Sequence, residues 1–316
     1  MARVGVMLPR DLPPQQVLTY ARTAEQLGFD ELWVVEDLGF RGGVAQAGAV
    51  LAATSHIVVG IGILPAGARN AAFAAMELAT LAQLFPGRLI AGIGHGMPDW
   101  MRQVGARPAS PLTLLREYTI ALRTLIRGEP GPAAGRYVNV EGVIIGETPQ
   151  VVPPVVLGVR GPKSIAVAGQ VSDGLLLAEP AAPPYIRDSI ERLAAAAPEV
   201  ITYDAAAVGP DGNAARELVR PGLTWIGEPD WAPHLAPLSF AADLARHRQT
   251  STGPEAFAAT MPDTWLRELS LAGTPDEVHT QIAARHAAGA TSVVMIPAES
   301  DPLDALPRLA QVLQQR

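Results

Sequence analysis

The sequence contains no cysteine among its 316 residues. Disulfide bonds, thiolate metal sites and cysteine nucleophiles are therefore excluded. Charged residues are also scarce, at 17%, and the formal net charge of -7 excludes the basic surface that a nucleic-acid-binding protein needs. The chain lacks any uninterrupted apolar run of about 18 residues, which is the length that a membrane-spanning helix requires.

The amino terminus, MARVGVMLPRD, lacks the long apolar segment of a secretory signal peptide and is interrupted at Pro9. We therefore expect a soluble, cytoplasmic protein with neither nucleic acid nor a membrane as its partner. Its expected partner is a small-molecule substrate.

Apolar residues are abundant, at 48%, and they follow a repeating order of short strands and helices. The stretch from Ile57 to Gly96 shows this order most clearly. An apolar run at Ile57–Val59 precedes a helical block at Ala71–Leu84 and a second apolar strand at Leu89–Ile93. The order predicts a βαβ unit in a parallel sheet that is buried on both faces. Both strands end in glycines, where a flat ligand can approach the backbone closely.

Eight such strands are predicted, each followed by a helix, and they begin near residues 4, 31, 57, 89, 154, 173, 200 and 291. This number predicts a single (β/α)8 TIM barrel over residues 1–316. A doubly wound sheet is the alternative, but no GxGxxG follows the first strand, where a dinucleotide-binding fold carries it. The long intervals after strands 4 and 7 predict insertions: a small hairpin at Gly135–Ile145 and a helical segment at about 204–270.

Polar residues that follow the strands are the candidates for a site, because the active face of a TIM barrel lies at the carboxyl ends of its strands. No His-x-His motif follows the first strand, so we expect no metal site of the metallohydrolase kind. The candidates are Arg10, Asp11, Glu36, Asp37, Arg69, Asn70, His95, Arg160, Lys163, Ser164 and Glu179.

The segment Arg160–Ser164 is the clearest candidate for binding an anion. Gly161 frees the backbone, and Pro162 can begin a helix. The free N–H groups of that helix, together with Lys163, offer positive charge to a phosphate. An ordinary strand-to-helix turn with a solvated lysine is the alternative.

Titratable groups lie at other strand ends. Among the six histidines of the chain only His95 does so, and its imidazole can donate a hydrogen bond, relay a proton or simply pack. Glu36 and Asp37 end a buried strand, so at least one carboxylate is expected to face the barrel mouth. Capping or a salt bridge to Arg41 is the alternative for this pair. Glu179 is either a weaker site residue or a cap.

Five segments of the chain resemble one known family. Together and in this order they are similar to the bacterial-luciferase-like flavin and deazaflavin oxidoreductases. The Glu36-Asp37 pair and the LGVRGPK sequence are most similar to the branch that uses coenzyme F420, which includes methylenetetrahydromethanopterin reductase. Residues 204–270 carry almost none of the resemblance. The segments are AEQLGFDELWVVED (24–37), VVGIGILPAGARN (58–70), LFPGRLIAGIGHG (84–96), PPVVLGVRGPKSIAVAGQVSDGLLL (153–177) and GTPDEV with GATSVVMIP (273–297).

The resemblance implies a barrel with a deazaflavin ring against the ends of strands three and four. It also implies a non-proline cis peptide in a bulge of the third strand, at Gly62–Ile63 by position. His95 stands where relatives often carry an acidic or small residue, and we assign catalysis to His95, Glu36 and Asp37. The cofactor contacts that the resemblance implies are Asp37, Gly62, Ile63, Leu64, Gly94, His95, Gly158, Val159, Arg160, Gly161, Pro162, Lys163 and Glu179.

Three functions follow from this resemblance and stay open at this point. The first is an F420-dependent oxidoreductase that transfers a hydride between the deazaflavin C5 and a carbon of a small organic substrate. The second is an FMN-dependent luciferase-like monooxygenase on the same fold. The third is a barrel that binds flavin without catalysis. A homodimer is open as well.

Overall fold

The computed structural model describes residues 2–196 and 198–315. Its strands lie close to the predicted positions because each is a short apolar run between turn residues. They are β1 (Arg3–Met7), β2 (Glu31–Val34), β3 (Val58–Pro65), β4 (Leu89–Gly94), β5 (Val155–Gly158), β6 (Gly174–Leu177), β7 (Glu199–Val208), β8 (Leu271–Gly273) and β9 (Ser292–Pro297).

Within the described residues, eight of these strands close into a parallel barrel. Their order is β1 to β7 followed by β9, which returns to pair with β1. The predicted (β/α)8 TIM barrel is therefore confirmed. Since every pairing is parallel, the carboxyl ends of the strands gather at one mouth, and the residues after each strand meet there.

One strand is not predicted by the sequence. β8 pairs in parallel with the upper end of β7, at Ala206–Val208, where β7 continues past its pairing with β9, which ends at Ala206. A three-residue run, Leu271–Gly273, is too short to show the period of a strand. Only its place beside the extended β7 makes it one.

Helices surround the barrel, and α13 (Pro275–Ala287) shows how local sequence sets their ends. The Thr274 side chain accepts a hydrogen bond from the backbone N–H of Glu277, and the Glu277 carboxylate accepts one from the backbone N–H of Thr274, which is a capping box. No helix in the described residues is long and apolar enough to cross a membrane. The helices are α1 (Val17–Gln26), α2 (Gly43–Ala53), α3 (Ala71–Leu84), α4 (Pro98–Gln103), α5 (Pro111–Ile126), α6 (Pro162–Val171), α7 (Pro183–Leu193), α8 (Gly212–Val219), α9 (Ala232–Leu235), α10 (Ala241–Thr250), α11 (Pro254–Ala259), α12 (Asp263–Leu269), α13 (Pro275–Ala287) and α14 (Pro302–Leu309).

The two insertions differ from their predictions in detail. The helical insertion runs from α8 to α12 and starts at Gly212, because β7 continues to Val208. The hairpin predicted at 135–145 is wrong, since residues 127–154 contain no strand. Three consecutive backbone N–H groups there, from residue 136 to 138, donate to the carboxylate of Glu117 on α5 instead of to a partner strand. Hydrogen bonds to a carboxylate about 20 positions away in the sequence thus replace the strand pairing of the predicted hairpin.

The barrel interior is filled by a few large side chains placed against glycines. Trp33 and Tyr203 meet edge to face, with ring centroids 5.6 Å apart. A Cβ at Gly60 would lie 2.3 Å from the Trp33 ring, and one at Gly62 would lie 2.1 Å from the Tyr203 hydroxyl. These two glycines therefore make room for the protein's own side chains.

Candidate active site

The floor of the barrel mouth is apolar. Met7, Ile63 and Ile296 lie within the last three residues of their strands, are half-buried, and pack on the interior cluster that includes Leu176 and Tyr203. Their upper surfaces face the mouth because the strands end there. A planar apolar group could rest on them without desolvating any charge.

The third strand carries the predicted bulge. The pairing of β3 with β4 shifts register between Ile61 and Leu64, and the Gly62–Ile63 peptide bond is cis, as the resemblance implies. Ile63 reaches sideways to β4 and β5: a Cβ at Gly94 would lie 3.0 Å from its side chain, and one at Gly158 would lie 2.4 Å away. Glycines on the two neighbouring strands therefore let Ile63 extend across the floor.

Leu64, also predicted to contact the cofactor, has a fully buried side chain. It packs in the core between the barrel and the helices, close to Gly43 at the start of α2. Val159 is similarly buried, with 6% of its surface exposed. At these two positions only the backbone can contact the cofactor. That contact stays a prediction.

Glu36 is held on the α2 side of the mouth by the protein itself. Its Oε2 accepts hydrogen bonds from the backbone N–H of Gly43 at 2.7 Å and from Arg69 Nη2 at 2.9 Å. Arg41, the alternative partner, donates instead to the backbone carbonyls of Pro9 and Leu12. The bonds of Glu36 are those of a structural anchor, and its catalytic assignment stays a prediction.

Asp37 lies beside a cation at the β1 and β2 ends of the mouth. Arg10 Nη1 donates to Asp37 Oδ2 at 2.6 Å, and the Arg10 guanidinium stacks over the Phe40 ring, 4.8 Å from its centroid. A quarter of the Asp37 side chain is exposed. Asp37 is therefore the accessible carboxylate of the pair. The other candidate in the next loop, Asn70, caps α3 by accepting from Ala72 N–H.

His95 follows β4 and bridges to the start of α6. Its Nε2 lies 3.2 Å from the Ser164 Oγ, so one of these atoms donates to the other. Burial lowers the pKa of His95, partly offset by a hydrogen bond to the backbone of Pro111. The imidazole is therefore neutral at neutral pH. One of its nitrogens is engaged by Ser164, the last residue of the predicted anion loop, Arg160–Ser164.

The predicted anion loop has the geometry of a helix start. Gly161 adopts φ 85, a left-handed conformation that suits glycine, and α6 begins at Pro162 as predicted. Lys163 is exposed and makes no hydrogen bond or ion pair with any residue that the structure describes. It is also the only lysine in the chain. The Arg160 guanidinium lies over the ring of Trp231, 4.9 Å from the centroid.

Glu179 follows β6 and is half-buried, and its peptide bond to Pro180 is cis. Burial raises the pKa of Glu179. The charge of Arg160 opposes this shift, while Asp204 and Asp37 add to it. This carboxyl group therefore keeps its proton to a higher pH than an ordinary glutamate, at the edge of the mouth.

A family model for luciferase-like monooxygenases matches residues 1–292, most of the chain. The chain belongs to this family. The 5,10-methylenetetrahydromethanopterin reductase of Methanolobus tindarius is 26% identical over 300 residues and is covered, like this chain, over 91% of its length. An F420-dependent glucose-6-phosphate dehydrogenase of Nakamurella multipartita is 28% identical over 201 residues, which are 57% of this chain and 59% of that one. The structure of the coenzyme F420-dependent tetrahydromethanopterin reductase of Methanopyrus kandleri matches with a TM-score of 0.82 at 21% identity, over 99% of both chains.

In this luciferase-like protein the insertion packs beside the anion loop, which the sequence does not predict. His234 of α9 is 1% exposed. Its ring stacks on Tyr185, with centroids 4.4 Å apart, and its Nδ1 lies 3.2 Å from the carbonyl oxygen of Pro180. With Trp231 on Arg160, this contact fixes the insertion against one wall of the mouth.

Sequence reasoning also misses Tyr203, the large residue beneath the mouth. It lies on β7 and is 3% exposed. The alternation of side chains along the seventh strand was the signal that could have placed it inside the barrel. No pattern in the sequence indicates that it meets the third strand.

Proposed function

We propose that this protein is a coenzyme F420-dependent oxidoreductase, which transfers a hydride between the deazaflavin ring and a carbon of a small organic substrate. The observation that carries the proposal is the layout of the mouth. An apolar floor lies beside a helix start whose free N–H groups suit an anion, and a cofactor that joins a planar ring to a phosphate needs both. Two of the relatives, the dehydrogenase and the Methanopyrus kandleri reductase, are F420-dependent by name, which supports F420 as that cofactor.

The residues at each end fit the parts of such a cofactor. Ile63, between Gly94 and Gly158, offers a flat apolar surface for the ring. The N–H groups at the start of α6 and the uncommitted ammonium group of Lys163 offer charge-assisted hydrogen bonds to the phosphate. When bound there, the deazaflavin supplies the carbon that donates or accepts the hydride.

The chain's own groups orient the reactants, exclude water and hold protons. Met7, Ile63 and Ile296 support the ring and keep water from its lower face. His95 holds a neutral imidazole at the end of β4, fixed by Ser164, and Asp37 presents the accessible carboxylate across the mouth. We assign the handling of the substrate proton to these two side chains.

A comparison of cofactors tests the proposal directly. Purified protein is titrated with F420 and with FMN, and binding is followed by the fluorescence of each. We expect F420 to bind at least about tenfold more tightly than FMN. Submicromolar FMN binding without F420 binding would contradict the proposal and favour the monooxygenase. Tight F420 binding without oxidation of the reduced cofactor by any acceptor in a broad panel would favour the non-catalytic barrel.

The single lysine offers a second readout that needs no substrate. An amine-reactive reagent can modify only Lys163 and the amino terminus, and the two products separate by peptide mass. Saturating F420 should slow the modification of Lys163 and leave the terminal amine unaffected. Equal rates with and without F420 would show that the phosphate does not lie at this loop.

We also infer that the protein acts as a homodimer. The outer face of α3 exposes Phe73 and Leu84, each 65% exposed, and Met76, 50% exposed. The neighbouring α2 carries no charged residue and exposes Ala45, Ala49 and Ala52. A large apolar row beside a row of small residues is self-complementary under a two-fold axis. Light scattering should give a dimeric mass that Met76→Asp reduces to a monomer; a monomeric wild type contradicts the inference.

A further inference from the structure

Tyr203 places a polar atom directly beneath the mouth. Its side chain is 3% exposed and its ring packs edge to face on Trp33. The hydroxyl has no hydrogen-bond partner within the described residues. Buried hydroxyls are nearly always paired, which makes this one an exception. Its position is therefore not explained by a hydrogen bond to the protein.

The hydroxyl instead occupies the space of a missing side chain on the third strand. A Cβ at Gly62 would lie 2.1 Å from the Tyr203 Oη and 3.0 Å from Cζ. The same Cβ would lie 2.8 Å from the methyl Cδ1 of Leu176. Gly62 is the first residue of the bulge, and the residue after it, Ile63, forms the floor of the mouth. Tyr203 therefore supports the floor from below through Gly62.

We propose that Tyr203 is a positioning residue of the cofactor seat and that it acts through Gly62. Its hydroxyl fills the space under the bulge and so holds Ile63 at the height at which it reaches across to Gly94 and Gly158. Only glycine at position 62 is compatible with this support. The inference rests on the proposed function, since it requires a planar cofactor on the floor.

The alternative is that Tyr203 only fills the core, and the barrel contains a matched control for that case. Gly60 lies one layer lower on the same strand, and a Cβ there would lie 2.3 Å from the Trp33 ring. The two contacts are similarly close, at 2.3 Å and 2.1 Å, but Gly60 lies below the bulge. Overpacking at Gly60 should lower stability without changing the seat.

The experiment is a double-mutant cycle read by two measurements, the melting temperature and the dissociation constant of F420 or FMN, whichever the wild type binds. Gly62→Ala should weaken cofactor binding about tenfold or more, because the added methyl group pushes the bulge off Tyr203. In the Tyr203→Phe background the colliding oxygen is gone, so the same substitution should cost less than about threefold. Gly60→Ala should lower the melting temperature in both backgrounds and leave the dissociation constant within about threefold of its value in the same background, since its methyl group meets Trp33 and not the Tyr203 hydroxyl.

The strongest support for the inference would be a Gly62→Ala protein that folds and binds the cofactor only when Tyr203→Phe is also present. Equal losses of affinity in both backgrounds, or no loss at all, overturn it while the proposed function stands. A wild type that binds neither cofactor overturns both.

If neither Gly62 variant folds, Tyr203→Leu decides. It removes the support beneath the bulge, and it should weaken cofactor binding about tenfold or more, beyond its effect on melting. Ile201→Ala, a buried change lower on the same strand, should affect melting alone. Wild-type affinity in Tyr203→Leu overturns the inference.

Discussion

A buried ion pair joins β7 of the barrel to α13, and breaking it should destabilise the protein strongly. Arg285 Nε donates to Asp204 Oδ2 at 2.7 Å and Arg285 Nη2 donates to Oδ1 at 3.2 Å, with the side chains 1% and 0% exposed. Arg285 also donates to the carbonyl oxygens of Glu268 and Ser270, where the insertion ends. Apart from Arg285, Asp204 accepts a hydrogen bond from the backbone N–H of Ala181, at 3.0 Å.

Arg285→Met removes the cation and leaves a buried carboxylate with one backbone donor. Loss of one partner from a buried pair costs about 3–5 kcal/mol, because the remaining charge stays desolvated. For a chain of this size each kcal/mol lowers the melting temperature by roughly 2–3 °C, so we expect a fall of about 6–15 °C. Differential scanning calorimetry measures it. Raising the salt concentration should not reduce the effect, since a buried pair is poorly screened.

Two comparisons make this test decisive. Arg192→Met breaks the pair with Asp188 on the surface of α7, where the side chains are 47% and 29% exposed. It should shift melting by less than about 2 °C, because exposed pairs contribute little. Asp204→Leu combined with Arg285→Met should regain much of the loss, since an apolar pair leaves no buried charge. If the melting temperature of Arg285→Met lies within about 2 °C of the wild-type value, the reasoning is refuted.

Three further predictions concern the mouth and the insertion. Lys163→Ala should weaken F420 binding by roughly 1.5–3 kcal/mol in a titration, the value of a hydrogen bond to a charged group. His95→Ala should lower turnover about 10²–10⁴-fold, the usual contribution of general acid–base catalysis, with a far smaller loss of cofactor affinity. Burial and the nearby Arg160 lower the pKa of His234 from 6.5 to about 4. Between these pH values the unfolded state binds more protons, so the free energy of unfolding falls on acidification, and His234→Gln should flatten that fall.

Each of these has a control or a contrary outcome. Unchanged affinity in Lys163→Ala would make it a solvated residue at a helix start. A correctly folded His95→Ala with wild-type turnover would remove His95 from the mechanism, and lower melting alone would show that it packs. If His234→Gln keeps the wild-type pH slope, His234 is not the group that titrates.

The sequence determined the features that depend on residues close together in the chain. Apolar runs between turn residues placed the barrel strands, because burial on both faces leaves a continuous hydrophobic signal. Thr274 and Pro162 marked helix starts, since a cap depends on the next few positions only. The order of the strands along the chain then led to the barrel and to the ring of candidate residues at its mouth.

The tertiary structure alone decided which of those residues meet. Arg69 pairs with Glu36, and Ser164 with His95, 33 and 69 positions apart in the chain. The contact of Tyr203 with Gly62 is likewise set by the tertiary structure. Alternation along a strand shows that a side chain points inward, but closure of the barrel sets which inward side chains face each other. The hairpin error has this cause too, because the carboxylate that takes its N–H groups comes from α5. Pairings across a closed sheet depend on register and strand tilt, and no local pattern encodes them.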